Sequence, residues 1–415
     1  MKHFIVILYI LTYYASVAQE RITLNDCYNL VDKNYPLAKQ SQLFKVQNQL
    51  DAKVVSNSKL PQFSLDAQAT YQSDVIEIPI PSLNIEGQNK DQYRATFSVN
   101  QLIFNGGATD AILNVKAAEF KTKQKQVEVN LYQLKQRVNQ LYFSVLLSQE
   151  THVLLEAKQT HLLSKLNEVQ AGIKYGTVLP ASDQVLQAEL LKLKQQFREL
   201  ESNKTLLIET LSSIIGQSLR TETSFEKPLI ETALNTKLNR PELELFQFKQ
   251  EEIKNNEVLI SKQNSPKLLG FATGGYGNPG LNMLDNSFQA FYIVGVKLNW
   301  NVFDWNSNKK QRESLALNKD ILDTETQTFK LKTNIELNEQ QHEIDKIEYF
   351  IISDLEIINL RKAVLQSADS QLKNGVITAS AYLTELTNLY EDENTLAKHK
   401  IQLQLAKANY NIIKG

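Results

Sequence analysis

Apolar residues recur along much of this chain in alternating steps of four and three. From Leu186 the series runs through Leu190, Leu193, Phe197, Leu200, Lys204, Leu207, Leu211 and Ile214 without a slip. That is the period of helices packed side by side in a left-handed supercoil. A second seam comprises Val127, Leu131, Leu134, Val138, Leu141 and Val145, and resumes at Leu162, Leu166, Val169 and Ile173. Ser148, His152 and Gln159 interrupt it, which predicts looser packing or a change of neighbour there. Other stretches alternate with period two. Tyr93, Ala95, Phe97, Val99 and Ile103 alternate with Arg94, Thr96, Ser98, Asn100 and Leu102, and Phe63, Leu65, Ala67, Ala69 and Tyr71 alternate with polar residues. Strands of about 10 residues, apolar on one face and polar on the other, suit a half-buried soluble sheet or a transmembrane barrel around water.

The pattern occurs twice. Tyr35-Pro36 and Arg240-Pro241 each open a helical stretch and Leu60-Pro61 and Ser265-Pro266 each close it, at an offset of 205 residues. Phe104-Asn105 and Lys174-x-Gly176 recur as Phe303-Asp304 and Lys373-x-Gly375 at an offset of 199. The difference is a surface loop that is longer in the first copy. At offset 199, Tyr292, Val294, Val296, Leu298, Trp300 and Val302 fall on the apolar positions of the first copy, with Leu268, Gly270, Ala272, Gly274 and Tyr276 as the preceding strand. The first repeat, 19–228, is read as a helix, a strand hairpin at 62–104, a long helix at 107–174, a tip turn and a helix at 181–215. The second, 229–415, is read as a helix at 241–263, a hairpin at 267–303, a long helix at 307–374, a tip turn and a helix at 379–413. Every proline falls outside the long helices, each of which would be on the order of 100 Å long.

Composition narrows the class. Lys plus Arg is 45 against 46 for Asp plus Glu, which excludes a bulk basic surface for nucleic acid. One cysteine, Cys27, excludes a disulfide framework and a cysteine-based zinc site, and reads as a small buried residue on a short helix. Residues 1–18, with an apolar run from Phe4 to Tyr14 and small residues Ala15-Ser16-Val17-Ala18, read as a secretory signal with Gln19 the first mature residue. Secretion, and the lack of any element to cover two isolated hairpins, favour the barrel reading over a soluble sheet. Aromatic residues at the strand ends (Tyr71, Tyr93, Phe104, Tyr276, Tyr292, Trp300, Phe303, Trp305) suit interfacial girdles. Four strands cannot close a barrel, and open edges cannot be left in lipid, so the chain must oligomerise.

Four features together resemble the TolC-like outer membrane efflux proteins. They are the duplication with a strand pair in each half, Gln101-Leu102-Ile103-Phe104-Asn105-Gly106-Gly107 at the strand–helix junction, the tip Lys174-Tyr175-Gly176-Thr177-Val178-Leu179-Pro180-Ala181-Ser182-Asp183 followed by Gln187-Ala188-Glu189, and its echo Lys373-Asn374-Gly375-Val376 with Leu389-Tyr390. The resemblance implies an α+β membrane protein. Three chains of four strands would make one β-barrel in the outer membrane lipid, and their coiled-coil helices an α-barrel in the periplasm. The tips, Gly176, Thr177, Val178, Gly375, Val376 and Ile377, would dock on a periplasmic adaptor linked to an inner-membrane RND or ABC transporter. Family members carry Asp just past the tip glycine as a pore constriction. Here Ser182 and Ala381 hold those places, with Asp183 one residue later and Thr384 and Glu385 in the second copy. Asp183 is open to two readings, a shifted gate or a charge stabilising a helix N-terminus.

No enzyme chemistry stands out. Gly270-Phe271-Ala272-Thr273-Gly274-Gly275-Tyr276-Gly277 lacks the Lys-Ser/Thr of a phosphate loop, and its alternation puts it on a strand. His342-Glu343-Ile344-Asp345-Lys346 lacks the second histidine of a zinc protease. No cofactor or metal is expected, and the expected function is passive conduction as the outer-membrane channel of a tripartite efflux or type I secretion system. The competing class is a secreted coiled-coil protein without a pore, which would need no detergent for extraction.

Overall fold

The computed structural model describes residues 21–76, 87–232 and 237–415. The expected signal segment, and Pro79 and Pro81, lie outside them. The chain is mostly helical, an α+β fold. In order it forms β1 (Arg21–Ile22), α1 (Leu24–Asn34), α2 (Ala38–Asn57), β2 (Gln62–Tyr71), β3 (Asp91–Phe104), α3 (Ala108–Lys174), α4 (Ser182–Ile215) and β4 (Ser224–Phe225), then α5 (Pro241–Gln263), β5 (Lys267–Asn278), β6 (Gln289–Asn299), α6 (Ser307–Lys373) and α7 (Ala379–Lys414). Two helices precede the first hairpin, α1 with Cys27 and α2 after Tyr35-Pro36, where Tyr35 turns extended ahead of the proline. The second hairpin is shorter than expected, because β6 stops at Asn299 and Trp300 and Val302 lie past it. α3 and α6 are each 67 residues long.

One compact unit comprises Ser41–Gln126 and Glu244–Thr326. Its four strands form one antiparallel sheet in the order β2-β3-β5-β6, so the two hairpins are joined through β3 and β5. Register keeps the apolar positions in phase: Leu65 pairs with Phe97, Phe97 with Gly274 and Gly274 with Tyr292. One face therefore carries Phe63, Leu65, Phe97, Tyr276, Tyr292, Val294, Val296 and Leu298, all more than half exposed. Each hairpin enters its long helix through two left-handed residues, Gly106 and Gly107 in one and Trp305 and Asn306 in the other, 199 positions apart. Gly106 has a second reason to be glycine, since a Cβ there would sit 2.1 Å from that of Ser265.

The other unit comprises Val127–Leu243, Gln327–Gly415 and the chain up to Gln40. The α3 seam is as the heptads require, with Val127, Leu131, Val138, Leu141 and Val145 buried. Two core clusters form, one reaching Leu146 on α3 and the other beginning at Leu155. The break falls where Ser148 and His152 interrupt the apolar pattern: the Ser148 hydroxyl turns back to the Ser144 carbonyl, and His152 lies edge-on to Phe197 in half-exposed surroundings. On α4 the seam begins at Leu186 and Leu193, but by the far end Ile208 and Ile215 are buried rather than Leu207 and Ile214. A straight helix drifts against a 3.5-residue repeat in this way.

The first cluster is closed by polar contacts. β1 and β4 pair in parallel, and the wholly buried Tyr142 places its hydroxyl 3.0 Å from the Ile22 carbonyl and 2.7 Å from that of Glu226. Thr23 and Asp26 form a reciprocal capping box at the start of α1, which directs Cys27 and Val31 into the core. Cys27 is thus a buried small residue, as expected. Arg240, just ahead of Pro241 at the first position of α5, lies over Tyr132 and Phe329, pairs with Glu242 and donates to the Ile412 carbonyl at 3.2 Å. Replacing Tyr142 by Phe removes one buried donor facing two carbonyls, which should cost about 1–3 kcal/mol. Hydrogen exchange should show faster opening of residues 21–27 and 224–226 while α3 stays protected.

Candidate functional site

The two tips are built alike. α3 ends at Gly176 (φ +75°) and α6 at Gly375 (φ +69°), both left-handed. The Gly176 N–H donates to Ile173 and the Thr177 N–H to Gly172, and the Gly375 and Val376 N–H groups donate to Leu372 and Gln371 in the same pattern. This double closure satisfies carbonyls a helix end would leave orphaned. A Cβ on Gly375 would meet the Thr177 carbonyl at 3.0 Å, so the two turns lie against each other. Of the expected docking residues, Gly176, Thr177, Gly375 and Val376 are exposed, whereas Val178 and Ile377 pack onto the second core cluster. Tyr175, 77% exposed, joins the surface set and was not anticipated. Val178 lies over Gly172, where a Cβ would come within 2.6 Å of its methyl group, which explains the single glycine inside α3.

The residues past the glycines do not form one cluster. Ser182 is buried, which removes it from any lumen in this conformation. Asp183 stands in the first turn of α4, accepts a long hydrogen bond from Gln187 and meets the electrostatics of a helix N-terminus. Ala381 and Thr384 are exposed. The Thr378 side chain caps α7 by accepting from the Ala381 N–H. Glu385 lies 3.7 Å from Arg361, which also donates to Asp392 at 2.9 Å. A carboxylate paired in this way is a poor free charge for a constriction.

Just above the tips lies a polar interior that the heptad reading overlooked. Lys158 is buried and pairs with Glu189 at 2.9 Å beneath the Tyr390 ring. Lys165, also buried, bonds Glu168 and Asp369 and lies under the Tyr382 ring, while His161 meets the Tyr382 hydroxyl at 2.8 Å. Lys373 pairs with Asp369 at 3.0 Å. A cleft of about 740 Å³ opens among His161, Lys165, Glu168, Asp369 and Tyr382. Burial pushes the Asp369 carboxyl up, but hydrogen bonds from Lys165 and Lys373 outweigh it and hold the carboxyl below its usual range. Burial pushes the Tyr382 phenol well up. In the sequence Leu155, Lys158, Leu162, Lys165 and Val169 also keep a three–four spacing, but the two lysines fall one place before the seam positions Gln159 and Leu166.

Among the described residues no group of His, Cys, Asp or Glu could hold a metal, and no helix is long and apolar enough to cross a membrane. The sheet has an uncovered apolar face. Its apolar positions end in aromatic residues, Tyr71, Tyr93 and Tyr276 towards the hairpin loops and Phe104 towards the helices, and Phe303 and Trp305 follow β6 in the chain.

The fold is that of outer membrane channels. The chain superposes on VceC from Vibrio cholerae with a TM-score of 0.68 at 14% identity, covering 94% of this chain and 96% of that one. It superposes on the CmeC channel of Campylobacter jejuni (0.67, 17%, 94% and 84%) and on the open state of MtrE from Neisseria gonorrhoeae (0.68, 12%, 94% and 89%). Residues 38–217 match the family model "Outer membrane efflux protein". No curated protein matches in sequence. The resemblance to TolC-like outer membrane efflux proteins is thus carried by sequence over residues 38–217 and by fold over 94% of the chain. Proteins of that family are transport proteins and not enzymes.

Because the Asp369 carboxyl is held below its usual range, its contribution to the α3–α6 contact is present above the ordinary value of 3.8 and is lost only as pH falls through the lower folded value. Spin labels at the exposed Leu163 and Leu360 should therefore keep their separation between about pH 7 and pH 5. Asp369→Asn should broaden that distance distribution at pH 7.

Proposed function

We propose that this chain is one subunit of a homotrimeric outer-membrane channel in a tripartite efflux or type I secretion system. The observation that carries it is the four-stranded sheet, with one continuous uncovered apolar face and two open edges, β2 and β6. In lipid the apolar face is satisfied, but unpaired edges are not. Three copies joined edge to edge give twelve antiparallel strands, within the range of closed transmembrane barrels. A secreted coiled coil without a pore would have no use for such a face.

Residues 1–18 direct export, the two repeats each supply a hairpin and a helix pair, and the helices extend into the periplasm. Cargo passes passively from an inner-membrane transporter of the RND or ABC type through a periplasmic adaptor. The adaptor docks on Gly176, Thr177, Gly375 and Val376, which Val178 and Ile377 support from beneath. Asp183, Ala381 and Thr384 line the closure, so that small and hydroxyl side chains replace a full ring of carboxylates.

Electron microscopy of detergent-extracted protein tests the architecture. A threefold particle with a barrel joined to a hollow stalk is expected; a solid rod, or a protein needing no detergent, would overturn the reading. For the tips, Gly176→Val with Gly375→Val should abolish export while trimers persist in the outer membrane. Each forces a β-branched residue to positive φ at a cost of roughly 1–2 kcal/mol, and unimpaired export would count against docking there.

A further inference from the structure

The face of the sheet opposite the apolar one carries an asymmetric chemistry that the channel reading does not use. Pairing register places Arg94, Lys267 and Lys297 on it, with Asp66 as its one carboxylate among the described strand residues. All three cations are exposed, and none has an ion-pair partner among the described residues. Three unpartnered cations to one carboxylate is a strong bias in a chain whose total charge is −1. The cations also occupy both ends of the strands. Lys267 pairs in register with Asn299 and Lys297 with Leu269 near the helices, whereas Arg94 pairs with Gly277 near the hairpin loops.

The same face carries two aromatic rings, where a water-filled barrel would call for polar residues. Phe271 pairs in register with Gly295, and Phe291 with Gly275. A Cβ on Gly295 would meet the Phe271 ring at 2.9 Å, and one on Gly275 would meet the Phe291 ring at 2.4 Å. Each ring therefore lies across the neighbouring strand in the space its glycine leaves. That side of the sheet thus offers flat apolar surface. Arg94 holds its guanidinium 5.6 Å from the centre of the Phe291 ring, so positive charge and apolar plane adjoin.

We infer that the sheet's polar face forms an anion-attracting passage with aromatic wall sites, fitted to anionic amphipathic solutes that carry a flat apolar portion. The inference rests on the channel reading above, because the face is a lumen only if the sheet closes into a barrel. Cations in a narrow aqueous bore with low-dielectric walls raise the local concentration of anions and depress that of cations. The rings retain the apolar portion of a solute that pure charge would release.

The purified trimer in planar bilayers under a KCl gradient provides the test. Wild type should show a reversal potential on the chloride side. Arg94→Gln with Lys267→Gln and Lys297→Gln should move it to the potassium side, with conductance retained. Naphthalene-2-sulfonate should block the wild-type current in the millimolar range, and Phe271→Ser with Phe291→Ser should raise the half-blocking concentration at least fivefold without moving the reversal potential. A cation-selective wild type, or a reversal potential unmoved by the triple variant, would overturn the charge assignment. Block unchanged in the double serine variant would reduce the rings to packing over glycine. Failure to form any conducting channel would instead overturn the channel reading itself. If the serine variant does not assemble, Phe271→Leu with Phe291→Leu keeps the bulk, removes the aromatic plane and should weaken block by the same test.

Discussion

Backbone hydrogen bonding sets the terms for this molecule. Within the sheet, each strand interior is paired from Gln62 to Asn299, but the outer sides of β2 and β6 present N–H and C=O groups with no partner in the chain. Water could satisfy them, but water would leave the apolar face of Leu65, Val294 and Leu298 uncovered. On the channel reading proposed above, the hydrogen-bonding and hydrophobic demands of the sheet are met together by more copies of itself in an apolar medium. The helical unit differs, in that two buried clusters already hold its helices together within one chain.

Much of this was legible in the sequence, for identifiable reasons. Period-two alternation fixes which face each residue takes, so Phe97 and Val296 could be placed together before any pairing was known. The seam of α3 and the interruption at Ser148 followed from spacing alone. Gly176 and Gly375 announced the turns, because a left-handed residue ending a helix is most readily glycine. The junction at Trp305-Asn306 was harder, since it adopts the conformation of Gly106-Gly107 without glycine.

What escaped the reading depends on contacts between distant segments. Nothing local links β3 to β5. Lys158 and Lys165 look like solvated face residues until Glu189 and Asp369 are brought beside them by other helices. Ser182 and Glu385 looked available for a pore because their burial and pairing come from neighbouring helices, with Arg361 far away in sequence. Val178 and Ile377 sit in exposed turns by sequence but turn inward, as the second cluster offers them apolar contact. Buried ion pairs give little net stability; these two join α3 to α4 and α3 to α6.

The pairing of β3 with β5 also governs the order of events as the chain forms. Leu102 meets Leu269 across the sheet, and all of α3 and α4 lies between them in the chain. Closing so long a loop is slow compared with winding helices or folding a hairpin. The first hairpin must therefore wait, one apolar face bare, until the second has been synthesised and delivered. A chain built this way depends on being kept from aggregation during that interval, and in the proposed channel every copy must complete its own four strands before the copies can join.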